Sequence, residues 1–428
     1  MTGSILSGII FLVTLYLIFS ERLNRTIASL IGAVALVIIG LLFGFYSESA
    51  ALAAIDFNTM GLLLGMMILV AVLEPTGFFQ YLAIYVGKRS KGNPVLLLIL
   101  LGTITTVVSM FLDNVTTVVL IAPVTILLCE ILGLQPLPFL MAEAILSDTG
   151  GVATLIGDPP NILVGSAAGL TFMDFLTHSL PIVIVVWFVA LFMLRYLFKK
   201  ELSVVPENLE ALSELNPKNA LKDSKSAKKV LAVLGVAIIF FLFEETLHIK
   251  PALVALSASA IALVLVRPPI QETLKRVQWD VLIFFSALFV LIGGLQAAGV
   301  MQSLASLIAH AVHLPPVVLG LILLWGVAIL SMLVDNVPIT IALIPVIQGL
   351  GGAGISIAPL WWALVFGAGL GGNGTIIGST ANIVVASISE KTETPITPKI
   401  WNKRGLPVML GTCLVASLLY VIFFYLVY

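Results

Sequence analysis

Charge is the scarcest ingredient of this chain. Of its 428 residues only 10% are Asp, Glu, Lys or Arg, whereas 60% are hydrophobic and the mean hydropathy is +1.16. Length alone would suggest two or three soluble domains, and that composition excludes them. The net charge of −1 says nothing about nucleic acid, but no basic stretch is interleaved with aromatics, and no nucleic-acid partner is expected. The two cysteines, Cys129 and Cys413, sit in separate apolar segments without metal-ligand spacing. They read as buried thiols and provide no disulfide framework. His178, His248, His310 and His313 fall near loops or span ends and form no ligand pattern. There is no Walker-type glycine loop, so the chain itself is not expected to hydrolyse nucleotide. No cofactor and no enzymatic activity are expected. The opening MTGSILSGII lacks a basic n-region and a small-residue cleavage site, so the first helix reads as retained.

What is present is apolar sequence in long runs. Segments of about 17–25 residues recur from end to end, the length a helix needs to cross a ~30 Å hydrocarbon core. The fold class is therefore an all-α polytopic membrane protein. Spans are expected at about 4–20, 26–46, 57–72 and 178–198, and again at about 230–246, 250–266, 279–295 and 404–428. Between them, 94–130 and 315–350 read as hairpins broken at Asp-Asn. The stretches from Pro136 or Pro138 to Gly169, and 356–388, read as broken helices, the first interrupted at 157–161. Pieces at 78–87 and near 299–313 look interfacial.

These interruptions are duplicated. Ser109–Thr125, SMFLDNVTTVVLIAPVT, returns 222 residues later at Ser331–Ile347 as SMLVDNVPITIALIPVI, with seven of 17 positions identical. Gly150–Ser166, GGVATLIGDPPNILVGS, returns at Gly371–Ser387 as GGNGTIIGSTANIVVAS, with nine of 17 identical. Paired polar breaks inside apolar sequence are the pattern of a transporter built from two repeats around a midplane site. The expected division is residues 1–198, a polar linker at 199–229, and a second repeat at 230–428. Five crossings per half force the halves to be inverted. Loop charge agrees with that topology. The loops 21–25, 75–93, 195–229, 267–278 and 389–404 hold 20 of the 21 Lys and Arg residues and leave only Lys250 elsewhere. Basic loops stay in the cytoplasm, so both termini are expected outside and the cytoplasmic (inner) membrane is the expected location.

A charge at the bilayer centre costs from ~2.5 kcal/mol upward, so such residues are rare and face protein or water. By these spans the embedded charges are Glu74, Asp113, Glu143, Asp148, Asp158 and Asp335, and no Lys or Arg is expected to join them. Such carboxylates bind a cation, exchange protons or sit neutral. Asp113-Asn114 and Asp335-Asn336 fall where helices must end, with hydroxyls nearby at Thr116, Thr117 and Thr340. Asp158 aligns with Ser379, Glu143 with Leu364 and Asp148 with Gly369, so the extra acids belong to the first half. Ion or proton coupling is therefore expected there, at Glu143, Asp148 and Asp158 beside the two tip aspartates. Glu74 reads as a capping or snorkelling residue.

The Asp-Asn-Val-Thr-Thr hairpin followed by Gly-Gly-x-Ala-Thr-x-Ile-Gly-Asp-Pro-Pro-Asn resembles the ion transporter superfamily. The branch it is most similar to holds the arsenite permeases, the melanocyte P protein and the D-type sodium–proton antiporters. The resemblance implies a scaffold, a mobile transport domain, often a homodimer, and a substrate site between hairpin tips and helix breaks. On this chain that site is Asp113, Asn114, Thr116, Thr117, Asp158 and Asn161 with Asp335, Asn336, Thr340, Ser379, Thr380 and Asn382. The Ser-Asn-Thr signature of the dicarboxylate–sodium symporters is absent, which argues against di- and tricarboxylates. The expected function is proton-coupled efflux of arsenite or antimonite. Sodium–proton antiport is the nearest alternative, and an anion or carboxylate transporter of the same superfamily ranks below it. An intramembrane aspartyl protease would need a Gly-x-Gly-Asp context that neither aspartate has. A separate cytoplasmic ATPase, if one serves this chain, would find only 199–229 to dock on.

Overall fold

The structure is a computed structural model, and it describes residues 2–19, 23–206, 209–300 and 314–427. The second interfacial piece, with Leu304, Ala305, His310 and His313, lies outside the described residues from position 301 on. Among the described residues the regular structure is entirely helical.

The first half runs α1 (Thr2–Phe19), α2 (Arg25–Phe43), the short α3 (Glu48–Ala54), α4 (Phe57–Leu73), α5 (Phe78–Arg89), α6 (Pro94–Ser109), α7 (Asn114–Leu132), α8 (Leu137–Gly151), α9 (Pro159–Ala168) and α10 (Leu180–Leu197). After short linker turns come α11 (Ser224–Leu242), α12 (Pro251–Val266), α13 (Trp279–Ala297), α14 (Pro316–Leu333), α15 (Asn336–Gly352), α16 (Ala358–Gly371), α17 (Thr380–Ser389) and α18 (Pro398–Val427). The 222-residue spacing survives as geometry, because α4 and α13, α6 and α14, and α7 and α15 each begin that far apart.

Local chemistry sets the breaks. In each hairpin an aspartate caps the second arm: Asp113 accepts from Thr116 N at 2.8 Å, and Asp335 from Val337 N at 3.1 Å. Such caps satisfy backbone donors that a helix start leaves without partners. The first broken helix differs from expectation. Its irregular stretch ends at Asp158, and Pro159 and Pro160 open α9 instead of lying in the gap. A proline in the first helical turn lacks only an N–H that would find no partner anyway. In the second copy Ser379 caps α17 without any proline.

Seven helices among the described residues are long and apolar enough to cross a membrane singly. Two of these, α7 and α14, are hairpin arms; of the ten crossings, α1, α12 and the parts of the broken helices are shorter, and α11 carries three lysines near its start. Side-chain and backbone contacts sort the loops onto two faces. On one, Arg276 pairs with Glu74 at 2.6 Å, Arg404 pairs with Glu201 at 2.8 Å, and Asp223 N reaches Thr76 O. Lys88 donates to Leu215 O, and Thr26 Oγ1 to Asp280 O. All five basic loops therefore share this face. On the other face Ser4 donates to Ala298 O, Tyr46 to Val290 O, Ala252 N to Asn58 Oδ1, and Tyr420 to Pro359 O. Both described chain ends approach this second face. The topology is that of two inverted repeats, with ten crossings, two re-entrant hairpins and two broken helices.

The helices pack as two groups. An outer group pairs α2 with α13, its inverted counterpart α12 with α4, and α1 and α11 beside them. An inner group holds both hairpins, both broken helices, α10 and α18. Packing is dense within each group and sparse between them.

Candidate functional site

Four helix N-termini meet at one point. The capping residues Asp113, Asp158, Asp335 and Ser379, with the first-turn residues Asn114, Pro159, Asn336 and Thr380, all line a cavity of about 70 Å³. Each helix start carries about +0.5 of an elementary charge in partial dipoles. Three carboxylates at the same cavity outweigh the roughly +2 that the four contribute together. The result is a polar chamber, walled elsewhere by Leu63, Met67, Ile156, Ile162, Phe284 and Phe285.

The side chains cross between repeats. Asn336 Nδ2 donates to Asp158 Oδ2 at 3.0 Å, and Ser379 Oγ donates to Asp148 Oδ1 at 2.9 Å. Within each repeat, Asn114 Nδ2 donates to Asp148 Oδ1 at 2.7 Å and Thr380 Oγ1 to Asp335 Oδ2 at 2.5 Å. Asp148 lies behind the cavity wall, almost wholly buried. Its counterpart Gly369 would place a side chain 3.9 Å from Asp158 Oδ2. The inversion thus maps the Ser379–Asp148 contact onto Asp158 and a bare glycine. The first half holds the extra acids, as expected.

Other expected residues stand apart from the cavity. Asn161 Nδ2 donates to Gly151 O (2.9 Å) and Thr154 O (2.8 Å), and Asn382 Nδ2 to Gly372 O (3.0 Å) and Thr375 O (3.1 Å). These amides brace the two irregular stretches in matching fashion. Thr340 donates to Asn336 O within its own helix, and Thr117 is fully buried inside α7. Glu143 is fully buried between α8 and α7, accepts from Thr125 and does not reach the cavity. Thr116 lines a second chamber of about 290 Å³ that shares Asp113, Gln278 and Met67 with the first and extends to Glu74 and Arg276. That chamber leads towards the face of the basic loops.

Two residues were missed. Arg25 opens α2 in what reads as a loop, yet it lines the cavity with Nη1 3.7 Å from Asp335 Oδ2 and its guanidinium 5.5 Å from the Phe284 ring centre. Glu74 likewise has a cation, Arg276. The expectation that no Lys or Arg joins the acids is therefore corrected. The inverted topology carries the span ends of the outer group to the level of the inner group's breaks. Gln278, the N-cap residue of α13, donates to Thr116 Oγ1 at 3.1 Å. No pattern in the sequence marks Arg25 or Gln278. Among the described residues no group of three or more His, Cys, Asp or Glu is placed to hold a metal ion.

Helical hairpins and broken helices converging on one polar cavity define a membrane transporter. The chain belongs to the citrate transporter family (CitMHS), whose model matches residues 15–367. A 46 kDa membrane protein of Mycobacterium leprae is 39% identical over 95% of both chains. An uncharacterized transporter of Synechocystis is 33% identical over 96% of this chain and 95% of its own. The human P protein is 33% identical over 93% of this chain and 57% of its own length, in keeping with the resemblance carried by the motifs. The YdaH transporter of Alcanivorax borkumensis has the same fold, with a TM-score of 0.62 at 17% identity over 99% of this chain and 98% of its own.

Proposed function

We propose that this protein is a secondary active transporter of the cytoplasmic membrane that exports arsenite or antimonite in exchange for protons. The observation that carries the reading is the lining of the cavity: three carboxylates, three amides and two hydroxyls against a single guanidinium, in about 70 Å³. Acceptors and hydroxyls in that ratio suit a small neutral hydroxylated solute or a bare cation. The family model is described by citrate. A trianion would meet Asp113, Asp158 and Asp335 with only Arg25 to compensate, which weighs against citrate for this chain. Sodium–proton antiport is the second reading, favoured by the same carboxylates.

In this reading residues 1–198 and 230–428 are the two repeats, 199–229 is a cytoplasmic linker, and both termini are outside. The outer helix group is the scaffold and the inner group moves. Protonation of Asp113, Asp158 or Asp335 competes with substrate, and movement of the inner group exposes the cavity alternately. Linker contacts to Thr76 and Lys88 leave less of 199–229 free for an ATPase. The resemblance adds a homodimer to the proposal.

Uptake into inside-out vesicles under a pH gradient tests this, comparing arsenite with sodium for the wild type and Asp113→Asn. Arsenite accumulation abolished by a protonophore and by the substitution is the expected result. Dissipation of the gradient by sodium without arsenite movement would establish the antiport reading in its place.

A further inference from the structure

Among the described residues the cavity receives two polar side chains from the outer group, Arg25 and Gln278. Arg25 faces Asp335, the tip of the second hairpin, at 3.7 Å. Asp113, the tip of the first hairpin, forms no ion pair among the described residues. The two tips are counterparts in the repeat, yet only one is matched by a cation. An inverted repeat permits the opposite arrangement to be read off the same structure.

The helix pairs α2–α13 and α12–α4 are counterparts. Carrying the Arg25–Asp335 contact through the inversion sends the aspartate to Asp113 and the cation to the N-terminus of α12. Lys250 stands there as the N-cap residue of α12, one place before the first helical position that Arg25 holds in α2. It is exposed, it makes no ion pair among the described residues, and it is the one Lys or Arg of the chain outside the basic-face loops. It lies at the level of Asn58, since Ala252 N donates to Asn58 Oδ1. The cavity that holds Asp113 lies at the level of Leu63 and Met67 on the same α4. At 1.5 Å per helical residue those levels differ by roughly 7–14 Å.

We infer that Lys250 is the counterpart of Arg25 in the alternate state. When the inner group slides by that distance towards the second face, Arg25 releases Asp335 and Lys250 meets Asp113. Each end of the outer group then carries one cation, and each cation holds one hairpin tip in one end state. This makes Lys250 a positioning residue that acts on the equilibrium between states. The inference rests on the alternating-access reading above but not on the identity of the substrate.

The test is state-dependent cross-linking in the full-length chain. The pair Asn24→Cys with Val337→Cys reports the state seen here. Ile249→Cys with Val115→Cys reports the alternate state and leaves Lys250 and Asp113 intact. The native thiols of Cys129 and Cys413 are fully buried, so background is low. The expected result is that both pairs cross-link. Lys250→Gln should lower the 249–115 yield roughly two- to fivefold, the weight of an exposed ion pair, while Lys250→Arg restores it. An unchanged yield in Lys250→Gln overturns the role of Lys250 while leaving two end states in place. A fall produced by His248→Gln instead assigns the role to the neighbouring histidine and likewise overturns it. If the 24–337 pair forms and the 249–115 pair never does in an actively transporting protein, the sliding itself is wrong and the inference falls with it. Efficient 24–337 cross-linking in each variant shows that the variant has folded.

Discussion

Asn161 and Asn382 show how a single side chain holds an irregular stretch of backbone inside a membrane protein. Each spends its amide on two buried carbonyls, one at the end of the preceding helix and one in the break. Backbone groups that lose such partners away from water cost about 1–3 kcal/mol each. Asn161→Ala and Asn382→Ala are therefore expected to lower the melting temperature in detergent by similar amounts. Asp158→Asn should behave in the opposite way, keeping the melting temperature, because an amide oxygen still accepts from Asn336, while transport is lost. Thermal unfolding followed alongside vesicle transport separates the two kinds of residue. Equal loss of stability in all three variants would contradict this assignment.

At the scale of elements, the close approach of hairpin and broken helix depends on two glycines. A methyl group at Gly150 would lie 2.5 Å from the Thr106 carbonyl oxygen, and one at Gly371 would lie 2.5 Å from that of Ala328. Both contacts are with backbone, which cannot rotate aside. Overpacking of this kind costs about 1–3 kcal/mol. Gly150→Ala and Gly371→Ala should each reduce stability by that order and shift the hairpins against the cavity. A thermal scan of the purified variants checks the first effect, and transport rate checks the second. The match between the two sites extends to hydroxyls: Ser109 donates to Ser147 O, and Ser331 to Ala368 O. It follows that the two hairpins are clamped by the same device despite the difference in their acids.

At the scale of the whole molecule, the 290 Å³ chamber between Asp113 and the Glu74–Arg276 pair opens towards the face that collects the basic loops. If that face is cytoplasmic, Val119→Cys, which lines the chamber and replaces a residue 45% exposed, should react with a membrane-impermeant thiol reagent in inside-out vesicles. It should stay protected in right-side-out cells. The reverse pattern would turn the proposed orientation over. Breaking the Glu74–Arg276 pair with Arg276→Gln should speed that labelling, because a half-exposed ion pair at the mouth contributes only about 0–1 kcal/mol to stability while narrowing the entrance.

Much of this was legible along the chain. The Asp-Asn-Val tips, the polar interruption around Gly157–Asn161 and its counterpart, and the basic loops are local signals. Helix termination, small-residue packing and loop charge each act over a few residues, so duplication, inversion and the place of the hairpins followed from them. Tertiary structure decided which acids meet. Asp113, Asp158 and Asp335 line the cavity, Asp148 stands behind it and Glu143 lies elsewhere, although all five are acids set in apolar sequence. It also decided that Asn161 and Asn382 brace backbone, and that Arg25, from the end of a distant span, reaches Asp335. The Arg25 contact depends on how two helix groups are set against each other across more than three hundred residues of chain, and the meeting of Asp158 with Asn336 on how the two repeats interlock, relations that local periodicity and charge do not encode.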